Sequence, residues 1–166
     1  MIRTLTAATM AATLHATAVW PQAATVTDPA EFVQKAAASG MFEIQSSQAA
    51  LDKGVEGEVA DFAQRMVEDH TDASERLKAA ATEAGVEVPA ALDAEHQSKL
   101  ETLKAAEADA LVKGYVDAQV QGHEQAVQLF ESFSTGGPDG PLKDFAAETL
   151  PTLREHAEMI KEIAGQ

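Results

Sequence analysis

The chain has 166 residues, room for one domain with a real core, and it carries 27 acidic against 12 basic residues for a net charge of −15. That charge repels phosphate backbones and anionic lipid headgroups, so nucleic acid and membrane surfaces are not expected partners. Cysteine is absent, which removes thiolate metal sites, thiol nucleophiles and disulfides, while a 45% hydrophobic content with only 5% aromatic residues suits helix packing and predicts an all-α domain.

At the N-terminus, Arg3 precedes a weakly apolar run from Leu5 to Ala18, and Ala16-Thr17-Ala18 has the small-x-small pattern of a signal cleavage site. Residues 1–23 are therefore expected to be a secretory signal, with an alternative cut near Ala23 and a periplasmic or secreted product. The run is too short to span a bilayer.

Asp28-Pro29-Ala30-Glu31 is a helix start: an acceptor at the cap, proline at the first position and glutamate three residues after the cap. The first helix is predicted to reach Asp52 and to stop at Gly54, with Phe32, Ala36, Gly40 and Glu43 on one face. A second helix is predicted from Val55 to Ala84, ended by Gly85, with Phe62, Met66, His70, Ala73 and Leu77 in its apolar row. Pro89 marks a connector, and Asp93 caps a short helix to about Lys104. A third long helix is predicted over 108–134 with Val112, Val116, Val120, His123, Val127 and Phe130 in its row. The glycine- and proline-rich stretch 134–141 is a loop. The last helix is predicted over 141–164 with Phe145, Thr149, Leu153, His156 and Ile160 in its row, bent at Pro151 because that residue has no amide hydrogen to donate.

Four long helices, with tight turns after the first and third and a crossover with a short helix between the second and third, describe a ferritin-like four-helix bundle over residues 28–164. Glu43, His70, His123 and His156 each interrupt an apolar row roughly fifteen residues in, about 22 Å along the helix. Groups at the midpoint keep their height whichever way the helix runs, so the four are expected in one interior layer. Burying polar groups without partners costs on the order of 2 to 7 kcal/mol each.

Two readings meet that demand. In one, neutral imidazoles and the Glu43 carboxylate bind a single divalent transition metal, and the N₃O set suits Zn, Cu, Fe, Mn or Ni without choosing among them. In the other, Glu43 accepts hydrogen bonds from the histidines, and the rest bond to backbone carbonyls or buried water. A di-iron centre is disfavoured, because the positions three before the histidines are Val67, Val120 and Leu153 rather than glutamates. Glu68, Asp69 and Glu124 are expected to face solvent, His96 to be exposed on the short helix, and Tyr115 to pack with its polar tip satisfied.

The segments Gly40-Met41-Phe42-Glu43, Arg65-Met66-Val67-Glu68-Asp69-His70, Gly122-His123 and Leu150-Pro151-Thr152-Leu153-Arg154-Glu155-His156, in that order, resemble the bacterial family called domain of unknown function 4142. The resemblance covers about residues 30–162 and implies an exported, ferritin-like helical bundle with no established activity. Two departures stand out: Gly122 replaces the usual aspartate before His123, and Gln45-Ser46-Ser47 replaces a more apolar segment beside Glu43.

Three functions remain open on sequence alone. The favoured one is a non-enzymatic exported domain, related to envelope or stress physiology by analogy, whose buried His/Glu cluster is either a structural network or the seat of one metal ion. The others are a mononuclear metal-dependent oxidoreductase with an open coordination position, and an acidic helical module that recognises a basic protein partner. The partner, substrate and oligomeric state are not encoded in any motif.

Overall fold

A computed structural model describes residues 25–166, so the expected signal segment 1–23 lies outside the described residues. Five helices form: α1 Pro29–Asp52, α2 Gly57–Ala84, α3 Ala94–Ala105, α4 Ala108–Gly136 and α5 Pro141–Ala164. The Asp28 carboxylate accepts the Glu31 amide at 2.9 Å, and Asp93 accepts the His96 amide at the same distance. Those bonds satisfy amide groups that a helix start leaves unpaired.

Helix α1 closes through Gly54 (φ 79°): its amide reaches the Leu51 carbonyl and the Val55 amide reaches Ala50. Val55 is thereby consumed in ending α1, which is why α2 begins at Gly57 rather than at Val55. The same double bond pattern at Gly85 (φ 69°) and Val86 ends α2. At the same end of the bundle as Gly85, α4 overruns the expected Ser134 by two residues. Phe133, fully buried and stacked on Phe32 at 4.0 Å, holds that last turn in place. Helix α5 continues through Pro151 to Ala164.

The four long helices form a ring in which α1 touches α2 and α4, and α5 touches α2 and α4. Ser47 meets Tyr115 and Phe32 meets Phe130, so α1 and α4 run antiparallel. Arg65 meets Glu155 and Arg76 meets Glu148, so α2 and α5 do too. Helices α2 and α4 consequently point the same way, and the chain must travel the bundle's length between them. Helix α3 makes that journey over α1 and α4, burying Leu100 and Leu103. This connectivity is that of a ferritin-like bundle.

Two apolar clusters fill the interior. One gathers Phe32, Val33, Leu77, Phe130, Phe133 and Phe145, and the other Phe42, Phe62, Met66, Leu100, Tyr115 and Ile160. In α4 the core face is displaced from the expected row: Leu111, Tyr115, Gln119, Ala126 and Phe133 are buried, while Val112 and Val127 are only half-buried. Along the chain His70, His123 and His156 each fall where one cluster hands over to the other.

Phe32 is wholly buried among Phe130, Phe133 and Phe145. Phe32→Ala is expected to lower unfolding free energy by about 3–5 kcal/mol, read from the urea midpoint with an unchanged slope.

Candidate metal centre

The structure brings three of the four anticipated groups together. The imidazoles of His70, His123 and His156 form a near-equilateral triangle, with ring centroids 5.6, 5.6 and 5.4 Å apart. One nitrogen from each ring lies within 4.8 Å of the others. All three residues are buried, and each offers a buried nitrogen with no hydrogen-bond partner: Nε2 of His70, Nε2 of His123 and Nδ1 of His156.

The other nitrogens of two rings explain which way the lone pairs point. His123 Nδ1 sits 2.9 Å from the Gln119 carbonyl oxygen. A carbonyl only accepts, so Nδ1 carries the proton and Nε2 is left with a lone pair. His156 Nε2 sits 2.8 Å from Asp69 Oδ2, and by the same logic its Nδ1 is the lone-pair nitrogen. Burial pushes all three imidazoles below their ordinary pKa of 6.5, His123 to about 4 and His70 well down, with mutual repulsion adding to the effect on His70. The hydrogen bonds to Gln119 and Asp69 oppose the shift at His123 and His156 without reversing it. At neutral pH the triangle is uncharged and holds unsatisfied lone pairs, the form in which histidine binds metals.

Asp69 was expected to face solvent, and its side chain is instead 31% exposed, turned along the α2–α5 seam to His156. Arg65 Nε, one turn earlier on α2, holds the same carboxylate oxygen at 3.2 Å, and its Nη2 reaches Glu155 at 3.0 Å. The signal was faint in the sequence, since residues adjacent in a helix diverge by about 100°, and only the seam with α5 turns position 69 inward. Glu68 and Glu124 are exposed. His96 corrects a second expectation: it is half-buried, bonded to Asp93 at 2.8 Å and packed on Phe42 at 5.5 Å.

Glu43 is not among the groups that converge on the triangle. It is as buried as the histidines, but its carboxyl lies toward α4, where a Cβ on Gly122 would stand 2.7 Å from its Oε1. No hydrogen bond joins it to a histidine among the described residues, and its Oε2 is buried without a partner. Desolvation raises its pKa from 4.5 to about 8, opposed by the nearby Gln119 amide. Around it runs a second polar group that the sequence did not single out. The Gln119 amide donates to Ser46 Oγ at 3.1 Å, and Ser47 Oγ pairs with the Tyr115 hydroxyl at 2.8 Å. Tyr115 thus carries its polar tip to α1 rather than to the histidines.

With that geometry in view, the comparisons with known proteins locate the chain. A family model described as "Domain of unknown function (DUF4142)" matches residues 14–163. The chain belongs to this family. A crystal structure of a DUF305 fragment from Deinococcus radiodurans is similar in fold, with a TM-score of 0.71 at 13% identity over 84% of this chain and 97% of that one. At that identity the likeness speaks for the helical fold alone. No curated protein matches the chain. Among the described residues no helix is long and apolar enough to cross a membrane.

The two buried sites titrate in opposite senses. Histidines whose pKa falls on folding stabilise fully above about 6.5, and that contribution is lost as pH drops toward about 4. A carboxyl whose pKa rises on folding stabilises fully below 4.5, and its contribution is lost as pH climbs through about 8. Glu43→Gln is therefore expected to gain on the wild type by up to about 2 kcal/mol between pH 6.5 and 8. Equal pH slopes for the two proteins in urea titrations over that range would contradict the assigned burial of an ionisable carboxyl.

Proposed function

We propose that this protein is an exported ferritin-like domain that binds one divalent transition metal through His70 Nε2, His123 Nε2 and His156 Nδ1. The observation that carries the reading is the convergence of three buried imidazoles, one nitrogen of each within 4.8 Å of the others, in rings that each hold a buried nitrogen without a partner. Leaving such groups dry and unbonded costs on the order of 1–3 kcal/mol apiece. A metal ion answers all three at once.

Asp69 and the Gln119 carbonyl supply the outer hydrogen bonds that metal-binding histidines usually have, fixing tautomer and ring direction. Bonds of about 2.0–2.1 Å set nitrogens roughly 3.4 Å apart in a tetrahedral site, a spacing open to rings whose nitrogens lie within 4.8 Å of one another. Three neutral nitrogens leave a fourth position for water or another small ligand, and they accommodate Zn, Cu, Fe, Mn or Ni. Glu43 stands outside this set in the proposal. The apolar side chains of Val120 and Leu153, where a di-iron bundle carries glutamates, support one ion rather than two. Export rests on the signal-like run 1–23, and a role in envelope or stress physiology is an analogy.

Protein purified without a histidine tag is expected to bind one Zn²⁺ or Cu²⁺ per chain by calorimetry and elemental analysis. His123→Ala should abolish the stoichiometry, and Asp69→Asn should weaken affinity about 10- to 100-fold while leaving it intact. A wild type that takes up no metal, together with a His123→Ala protein that is simply less stable, would reduce the triangle to a structural network. Turnover of oxygen or peroxide by the loaded protein would identify an oxidoreductase instead of a binding protein.

A further inference from the structure

Outside the histidine triangle, a groove of about 940 Å³ runs along the α1–α4 face, with α3 over one end and Val26 at the other. It exists because α4 presents Gly114, Ala118 and Gly122 at successive turns, leaving almost no side chain on that stripe. Phe42, Ala126 and Leu129 add apolar walls.

A stripe of small residues would mean little without the group beneath it. Glu43 lines the groove while only 1% exposed, and its Oε2 has no hydrogen-bond partner. Gly122 is the window above it: any side chain there would begin 2.7 Å from Oε1 and push the carboxyl aside. No lysine or arginine among the described residues pairs with Glu43. The cations on the groove's rim are engaged elsewhere, Lys35 with Glu31 at 2.7 Å and Lys99 with Glu95 at 2.6 Å. The rim acids Asp117 and Glu131 are likewise paired, with Lys113 and Arg154 at 2.6 Å each. Asp93, also on the rim, accepts the His96 amide at 2.9 Å and meets the His96 ring at 2.8 Å, so among the described residues Glu43 is the groove acid that is both buried and short of a partner.

We propose that the α1–α4 groove binds a slender amphipathic amine, with its terminal ammonium seated over Gly122 against the Glu43 carboxyl and its apolar chain laid along Ala118 and Phe42. The ammonium supplies the positive charge and donors that the carboxyl lacks. An ammonium seated there would hold the carboxyl ionised despite its burial, whereas a carboxylate-headed amphiphile brings no positive charge to it and an alcohol leaves the ion pair unformed. The groove's volume lies within the range of small-molecule sites, and each methylene of the chain that leaves water should tighten binding about fourfold. The inference is independent of the metal reading, because Glu43 is not one of the converging metal ligands.

Calorimetry with decylamine, decanol and decanoate tests it, each below its aggregation concentration and with a chelator present so that metal plays no part. The full chain should bind decylamine at least tenfold more tightly than decanol or decanoate. Glu43→Gln should lose that preference while still binding decanol, and Ala118→Leu should block all three ligands with the helical circular dichroism unchanged. His123→Ala should keep the preference if it folds. Equal affinity for amine and alcohol in the wild type, or a preference that survives Glu43→Gln, would overturn the proposal. So would a chain that ignores the amine but self-associates through the groove, seen as dimerisation abolished by Ala118→Leu.

Discussion

A dry polar layer at half height constrains this bundle more than any other feature. Helices that pack through alanine, leucine and phenylalanine could slide past one another with little loss, since one apolar contact substitutes for another. Imidazoles cannot slide in that way. His156 of α5 is held to Asp69 of α2, and a shift of one helix against the other by one turn would strand both the ring and its carboxylate partner. The layer separates the Phe32 cluster from the Phe62 cluster and so sets the register between them.

The second consequence concerns charge. The three imidazoles are neutral because water has been removed from them, and the Glu43 carboxyl is driven toward its neutral form for the same reason. The bundle nevertheless keeps the two kinds of group apart. Histidine nitrogens face one another among α2, α4 and α5, whereas Glu43 keeps company with Ser46, Gln119 and the Gly122 backbone between α1 and α4. A carboxylate hydrogen-bonded to an imidazole would have satisfied both groups internally. Their separation leaves two sets of unsatisfied atoms, one suited to a metal cation and the other open to a groove. Gln119 touches both: its backbone carbonyl fixes His123, and its side-chain amide serves Ser46.

Gly122, Ser46 and Ser47 all fall on this second site. Gly122 leaves open the space over Glu43 that a side chain would occupy, and Ser46 and Ser47 place hydroxyls in the α1–α4 seam. The histidine triangle includes none of the three, and its rings belong to helices α2, α4 and α5.

Much of the fold was legible in the chain because local chemistry decided it. Asp28-Pro29 and Asp93 start helices, Gly54 and Gly85 stop them, and the spacing of Phe62, Met66, His70 and Leu77 sets an inward face within one helix. Height within the bundle also followed from counting residues, since rise per residue is fixed. What counting could not supply was rotation about each helix axis and the identity of the facing helix. A turn of one residue's worth, about 100°, decides whether a midpoint carboxylate meets imidazoles or a glycine, and whether Asp69 meets water or His156. The residues capable of binding were therefore written in the sequence, while the grouping of three histidines with Asp69, and of Glu43 with Gly122, came only from the way the helices pack against one another.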